Sequence, residues 1–172
     1  MSLYLSGERL SLREMTREEL PSLLDVYNSN HGYNLLKNGE SAMTLAELIA
    51  EYDATASIPS GHWLVLLIED RPIGVMHLIV SNSSDQKSWI SMLLLHADYQ
   101  RKGYGREAVQ LAEQHCLEAG SRHIHHGVVA TNELALRFWG KLGYEQYRQV
   151  QAPIGRLTQP VLLIAKWLHD AQ

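Results

Sequence analysis

The chain has 172 residues, of which 45% are hydrophobic and 20% charged, and a formal net charge of -4 at pH 7. This size and composition are typical of one folded domain over residues 1–172, and the acidic balance argues against a nucleic-acid or anionic-membrane surface. The lone cysteine, Cys116, excludes an internal disulfide framework. Since no signal peptide or membrane-length apolar run is visible either, we expect a soluble, cytoplasmic protein.

The first half of the chain predicts one strand, two helices and then three strands. Thr16 with Glu19 and Thr44 with Glu47 form capping patterns ahead of leucine-containing segments, so the helices are expected to run to about residues 27 and 52. Residues 28–41, rich in asparagine and glycine, predict a loop. The strands are expected over residues 9–13, 63–68, 73–80 and 89–95, the last three as an antiparallel meander.

The second half changes to an alternation of helices and strands. A helix is predicted to begin after Gly103 and Gly105 and to end at Gly120, and a second one to run from residue 131 or 132 to residue 142. Strands are expected over residues 124–129, 144–150 and 161–167, the last two joined by a loop at residues 152–158. The fold class is therefore α/β (α+β), with a mixed, mostly antiparallel sheet of about seven strands and about four helices.

The segment at residues 93–105 carries the strongest chemical signal. An apolar strand leads into Gly103-Tyr104-Gly105 at the start of an amphipathic helix, where free amides carry the positive end of the helix dipole. Glycines let a phosphate approach those amides, so the segment predicts a pyrophosphate cradle. The spacing fits neither a Walker loop nor a dinucleotide-binding loop. The nearby positive side chains are Arg101, Lys102 and Arg106.

Two blocks of sequence resemble the GNAT superfamily of N-acetyltransferases. Residues 100–105, QRKGYG, match the family's Q/R-x-x-G-x-G/A signature, and residues 132–144, NELALRFWGKLGY, are similar to its N-x-x-A-x-x-x-Y-x-K-x-G-F block. The predicted order of elements also agrees with the GNAT fold. The resemblance implies acetyl-coenzyme A as the acyl-donor co-substrate, an amine acceptor and no metal.

The resemblance also implies where the donor binds. The pantetheine arm would lie between two diverging strands, with a backbone amide near Leu94 or Leu95 stabilising the oxyanion. Asn132 would contact that arm or stabilise the start of its own helix. The donor contacts expected from the family are Leu93, Leu94, Leu95, Gln100, Arg101, Lys102, Gly103, Tyr104, Gly105, Arg106, Asn132 and Trp139.

Catalysis is less well defined, because Trp139 stands where the family often has a tyrosine that protonates the thiolate. An indole N–H is no general acid near neutral pH. Either coenzyme A leaves as a thiolate, or Tyr144 or Tyr147 supplies the proton, or the chain binds acyl-coenzyme A without efficient turnover. His96, just after the strand expected to hold the thioester, is the first candidate for the general base, and His77 is the second.

The acceptor side is expected to be shaped by two connecting segments. His31 and Tyr33 lie in the predicted loop 28–41, which in GNAT proteins commonly borders the acceptor site, and the loop 152–158 is expected to contribute as well. The sequence does not name the amine. A non-catalytic acyl-coenzyme A sensor and a transferase for a longer acyl donor, such as succinyl- or malonyl-coenzyme A, are alternative hypotheses. Homodimers are frequent in the family, but no interface is identifiable.

A metal site is a weaker interpretation. The three histidines His123, His125 and His126 lie close together on a predicted strand, but no cysteine or carboxylate at suitable local spacing completes a ligand set. We therefore expect strand surface there and no metal.

Overall fold

The computed structural model describes residues 2–169, which contain eight strands and five α-helices. The strands are β1 (Tyr4–Ser6), β2 (Ser11–Glu14), β3 (Gly61–Ile68), β4 (Arg71–Ile79), β5 (Ser88–Leu95), β6 (His123–Val129), β7 (Glu145–Ile154) and β8 (Leu157–Trp167). The helices are α1 (Leu20–Asn28), α2 (His31–Asn38), α3 (Leu45–Thr55), α4 (Tyr104–Glu118) and α5 (Glu133–Lys141). Short 3₁₀ turns precede α1 and follow β5.

All eight strands belong to one sheet in the order β1-β2-β3-β4-β5-β6-β8-β7. Every neighbouring pair is antiparallel except β5 and β6, which are parallel and joined by α4. The predicted fold class is confirmed, with one strand and one helix more than expected. The additional strand is β1, three residues that lack a pattern long enough to detect.

The predicted loop at residues 28–41 was wrong in its centre, because α2 lies there. This helix has no side-chain cap at its start. It is instead held by tertiary hydrogen bonds, in which Asn34 Nδ2 donates to the carbonyls of Tyr27 (3.0 Å) and Ser41 (3.1 Å). Local sequence periodicity does not contain such bonds, so an asparagine-rich helix held by them has the sequence pattern of a loop.

The predicted loop at residues 152–158 is also wrong, since β7 and β8 continue through it as a hairpin with a turn at Gly155 and Arg156. Pro153 lies within β7. Strand β7 is the edge strand of the sheet, and an edge strand tolerates proline because one of its sides needs no ladder hydrogen bonds.

The sheet separates two apolar layers. One face packs against α4 and α5, and the other packs against α1 and α3. Cys116 lies fully buried in the first layer, and burial raises the pKa of its thiol to about 11. The fully buried side chains include Tyr27, Leu48, Leu64, Leu66, Met76, Ile90 and Ile124.

The strands β5 and β6 pair only at their beginnings. Cα partners are Ser88 with Ile124 and Trp89 with His125, and no further pairs follow. On the other side of β5, the register with β4 shifts so that Ser91 has no partner and forms a β-bulge, which increases local twist. The result is a gap between residues 90–95 of β5 and 126–129 of β6, which we call the wedge. The predicted divergence of these two strands is thus present.

Candidate active site

The glycine-rich segment forms an open helix start beside the wedge. Gly103 is the N-cap of α4 in a left-handed conformation (φ +86°), and the first helical bond runs from the Glu107 N–H to its carbonyl (3.1 Å). The N–H groups of residues 104–106 therefore precede the helical ladder, and no residue within 2–169 accepts a hydrogen bond from them. Aligned free amides at a helix N-terminus form a site for an anion.

Space around both glycines is also limited. A Cβ on Gly103 would lie 2.8 Å from Arg9 Nη2, and one on Gly105 would lie 3.2 Å from carbons of Leu95 and Phe138. A side chain at either position would therefore displace neighbours that shape the cradle, in addition to the left-handed strain at Gly103.

Arg9 is a member of this site that the sequence did not reveal. Its Nη1 donates to the Lys102 carbonyl (2.9 Å), its guanidinium lies 4.4 Å from the centre of the Tyr104 ring, and its backbone N–H donates to Glu107 (2.9 Å). Arg9 thereby adds a fixed positive charge beside the anion cradle. It is 93 residues away from Lys102 in sequence, so only the fold brings the two together.

The edge of β5 presents backbone amides to the wedge. The His96 N–H donates to the Ile73 carbonyl of β4 (2.8 Å), and antiparallel pairing alternates in direction from one residue to the next. Leu94 therefore directs its backbone groups towards β4, while Leu93 and Leu95 direct theirs towards the wedge. Consistent with this, the Leu95 carbonyl accepts bonds from outside the sheet, from Asn30 Nδ2 and Gln100 Nε2 (both 2.9 Å).

Those bonds define the role of two side chains. Gln100 Nε2 also donates to Asn30 Oδ1 (2.7 Å), so Gln100 ties the loop before α4 to the end of α1. Asn30 was not singled out by sequence reasoning, because it lies in the asparagine-rich segment with no motif around it. Asn132 accepts a bond from the Ala135 N–H (3.2 Å), which makes it the N-cap of α5, one of its two predicted roles.

The two side chains predicted to act in catalysis are both engaged elsewhere. His96 Nδ1 accepts from the Asp98 N–H (3.1 Å), so Nε2 carries the proton and donates to Asp25 (3.0 Å). The Tyr144 hydroxyl is buried and donates to Glu113 of α4 (2.9 Å). Burial first, and the Glu113 carboxylate second, raise the pKa of Tyr144 far above its usual value.

Two buried histidines, His77 and His126, lie near the point where β5 and β6 begin to diverge. His77 of β4 bonds through Nδ1 to the bulged Ser91 hydroxyl, and its Nε2 is buried without a partner. His126 of β6 donates from Nδ1 to the Ile90 carbonyl. Burial lowers the pKa of both imidazoles to about 4, so both are neutral at pH 7. Trp139 stacks on His126 with ring centroids 4.2 Å apart.

The segments predicted to shape the acceptor side contact one another. The Arg156 N–H, in the turn of the β7–β8 hairpin, donates to the Lys37 carbonyl (3.2 Å), and Gln159 Nε2 donates to the Leu36 carbonyl (2.9 Å). Tyr33 lies on the same helix, α2, and burial raises the pKa of its hydroxyl. His31 begins α2, and its Nδ1 lies 3.3 Å from the Ser41 carbonyl. The β7–β8 hairpin and α2 therefore form one continuous surface.

The strand surface predicted at the three histidines of β6 is wrong for His125 and His126, which are both buried. His123 and His125 form a hydrogen-bonded network with Tyr147. His123 Nδ1 lies 2.7 Å from His125 Nε2, and His125 Nδ1 lies 2.9 Å from the Tyr147 hydroxyl. Among residues 2–169, no three His, Cys, Asp or Glu side chains are grouped so that they could hold a metal ion. In that same part of the chain, no helix has the length and apolar character needed to span a membrane.

Comparison with known proteins gives consistent results. The sequence model described as "Acetyltransferase (GNAT) family" matches residues 20–144, more than half of the chain. No curated protein matches the sequence. Similar solved structures include an acetyltransferase from Thermus thermophilus, with 20% identity, a TM-score of 0.72 and coverage of 96% of this chain and 100% of that one.

Two other solved structures have the same fold. A GNAT-family acetyltransferase from Bacillus anthracis is 16% identical, with a TM-score of 0.74 and coverage of 98% and 100% of the two chains. A spermidine N-acetyltransferase from Vibrio cholerae, in complex with CoA and spermine, is 19% identical, with a TM-score of 0.69 and coverage of 94% and 97%. At these identities, the likeness shows the fold.

Proposed function

The chain belongs to the GNAT family of acetyltransferases, and on that premise we propose that it moves the acetyl group of acetyl-coenzyme A to a primary amine by direct attack in a ternary complex. The observation that carries this proposal is the row of free amides at residues 104–106, beside the strand edge that faces the wedge. The CoA in the similar Vibrio cholerae structure supports the same class of donor.

In this proposal the cradle binds the pyrophosphate and the wedge binds the pantetheine arm. The amides of residues 104–106 donate to phosphate oxygens, and the side chains of Arg9, Arg101, Lys102 and Arg106 supply positive charge. The backbone groups of Leu93 pair with an amide of the arm in place of a neighbouring strand, whereas the Leu95 carbonyl is already occupied by Asn30 and Gln100. The arm thus completes hydrogen bonds that β6 leaves unmade.

The same geometry supports a choice between the two candidate oxyanion donors. The Leu94 N–H belongs to the β4 ladder, whereas the Leu95 N–H faces the wedge. We therefore propose the Leu95 amide as the donor to the developing oxyanion, in a site where an oriented dipole stabilises charge without reorganisation. Holding the amine and the thioester together contributes much of the remaining acceleration.

His96 as the general base and Tyr144 as the general acid stay predictions. The contacts of both side chains favour roles other than proton transfer. His96 has both nitrogens engaged by Asp25 and the Asp98 amide, which suits a residue that positions the loop after β5. Tyr144 holds Glu113 inside the α4 layer, which suits a structural support. Trp139 is 3% exposed and packs between aromatic rings.

The amine is proposed to enter past α2 and the β7–β8 hairpin, which are joined by hydrogen bonds and together form one border of the path. Tyr33 and His31 on α2 and the hairpin turn at Arg156 then border its path. Arg156 forms ion pairs with Glu40 (3.3 Å) and Glu47, which hold the hairpin against this end of the molecule. Acceptor size is accordingly expected to depend on the hairpin.

The test is calorimetric titration with acetyl-coenzyme A, followed by an amine panel assayed for released thiol. The native chain should bind the donor, and a Gly103→Glu, Gly105→Glu variant should lose binding while keeping its circular dichroism spectrum. Absence of native binding to any acyl-coenzyme A would refute the proposal. Binding without turnover on any amine would indicate a sensor, and preference for succinyl- or malonyl-coenzyme A in competition would indicate a longer acyl donor.

A further inference from the structure

Helix α2 connects the proposed reaction centre to the β7–β8 hairpin. At its start, Asn30 is the N-cap and donates from Nδ2 to the Leu95 carbonyl (2.9 Å). Near its end, the Lys37 carbonyl accepts a bond from the Arg156 N–H of the hairpin turn (3.2 Å). Lys37 follows Asn30 by seven residues, a rise of about 10 Å along a helix axis. An acceptor bound along α2, with its amine at Leu95, therefore reaches the level of Lys37 after about 10 Å.

A carboxylate and a tyrosine ring lie beside the Lys37 ammonium group. Its Nζ donates to Oε2 of Glu51 in α3 and lies 5.9 Å from the centre of the Tyr33 ring. Burial first, and the Glu51 carboxylate second, raise the pKa of the Tyr33 hydroxyl, so the negative charge acts on this side chain as well. Carboxylates and the faces of aromatic rings are groups that bind alkylammonium ions in proteins. Glu51 and Tyr33 thus form a cation site, which we call the ammonium site.

The ammonium site is also connected to β5, the strand proposed to hold the thioester. The Tyr27 hydroxyl donates to Met92 Sδ of β5 (3.7 Å), and Met92 is three residues before Leu95. After burial, the Glu51 carboxylate is the next cause that raises the pKa of Tyr27. The charge of Glu51 therefore acts on a side chain that contacts β5. Both α2 and Tyr27 link the ammonium site to the reaction centre.

Lys37 fills the ammonium site from within the chain. Its side chain is 7% exposed, whereas that of Glu51 is 26% exposed, so solvent reaches the Glu51 side chain more readily than the lysine. The ion pair has no net charge. A second ammonium ion beside it would lose hydration without gaining a counterion, and Lys37 would repel it.

We infer that Lys37 determines the acceptor class: it occupies the ammonium site and thereby excludes a second positive charge, so the acceptor is a monoamine rather than a diamine or polyamine. This inference rests on the proposed function, in which the amine passes α2. A second cation at this border has a similar effect, since Arg156 pairs with Glu40 (3.3 Å) and Glu47. Lys37 acts through its charge and need not touch the reacting atoms.

The test uses monoamines that the native chain acetylates, each compared with a derivative that carries a second amino group about 10 Å from the first, the rise between residues 30 and 37. The native chain should have a kcat/KM about tenfold or more lower for the diamine, the factor expected for one unpaired charged group. This comparison needs no variant, so it tests the inference even if replacement of Lys37 prevents folding.

Three variants of the full chain identify the residue responsible. Lys37→Met leaves the Glu51 carboxylate without its cation, so a diamine can supply the missing ammonium group. The diamine-to-monoamine ratio of kcat/KM should rise about tenfold or more, with an unchanged Kd for acetyl-coenzyme A. Combining Lys37→Met with Glu51→Gln removes both charges and should abolish this gain. Arg17→Met is the matched control, because it frees Asp53, an exposed carboxylate of the same helix α3 that is bonded to Arg17 (2.9 Å).

Calorimetry gives a second readout that does not depend on turnover. The coenzyme A complex of Lys37→Met should bind the diamine at least about tenfold more tightly than the native complex does. A native chain that prefers the diamine, an unchanged ratio in folded Lys37→Met, or an equal rise in Arg17→Met would each overturn the inference while leaving the proposed function intact. A native chain that acetylates no amine would overturn both together.

Discussion

Replacing Tyr144 by phenylalanine separates a structural role from a catalytic one. In the native chain its hydroxyl donates to Glu113 Oε2 (2.9 Å), and Lys166 Nζ donates to the other oxygen of the same carboxylate (3.1 Å). Removing the hydroxyl leaves one oxygen of a buried, charged group without its partner. We therefore expect Tyr144→Phe to lower stability and to leave catalysis unchanged.

The size of the effect follows from these contacts. A hydrogen bond to a charged group contributes about 1.5–3 kcal/mol. The lower part of that range is expected, since the Lys166 contact remains. For a chain of this length each kcal/mol lowers Tm by roughly 2–4 °C, so the whole range corresponds to a decrease of about 3–12 °C and its lower end to about 3–6 °C.

The assay is thermal unfolding together with steady-state kinetics well below Tm. Tyr147→Phe is the control, because that hydroxyl is partly exposed and bonds to His125 (2.9 Å), and its loss should lower Tm less. If Tyr144→Phe instead lowered kcat about 100-fold or more with an unchanged Tm, a range typical of losing a general acid, the structural interpretation would be refuted and Tyr144 would be the proton donor.

Three further predictions concern the cradle, the buried histidines and the hairpin. Gly103→Ala should weaken acetyl-coenzyme A binding about tenfold or more, from strain of about 1–2 kcal/mol at φ +86° and displacement of Arg9. Gly120→Ala has the same kind of strain at φ +99° with open space around it, so equal effects on binding would contradict the cradle. Histidines with lowered pKa bind a proton only when unfolded, so stability is full above about pH 6.5 and is lost as the pH falls towards 4. Each of His77 and His126 should contribute roughly 2 kcal/mol to the decrease in unfolding free energy between pH 7 and pH 5, measured by urea titration. A decrease that His77→Gln leaves unaltered would count against this assignment. Gly155→Ala would place a Cβ 2.8 Å from the Lys37 carbonyl, so it should shift the hairpin and change KM for the amine but not Kd for acetyl-coenzyme A; the reverse pattern would exclude the proposed entry path.

The donor side of the site was predictable from sequence because its determinants are local. Gly103 and Gly105 act through backbone geometry within one turn of helix, and the alternation of strands and helices around them follows from hydrophobic periodicity. The backbone direction at Leu94 and Leu95 was not predictable, since the parity of the ladder depends on where the bulge at Ser91 lies. One unpaired residue shifts the register by one, and this shift decides whether the Leu94 or the Leu95 amide bonds to β4 and which of them faces the wedge.

The roles of the side chains around that frame depend on contacts distant in sequence. Arg9 reaches Lys102, and Tyr144 reaches Glu113, across 93 and 31 residues. His96 looked available as a base because nothing next to it suggested its partner Asp25, which is 71 residues earlier. Hydrophobic periodicity identifies the elements but not which polar side chains meet between them.

The contacts of Arg9 link donor binding to the beginning of the chain. Arg9 lies in the turn between β1 and β2, outside the family match at residues 20–144, and bonds to the loop that precedes α4. By thermodynamic reciprocity, a ligand that orders the loop must also order this turn. Amide hydrogen exchange in the β1–β2 hairpin should consequently slow when the donor binds, and fraying of that hairpin should lower donor affinity.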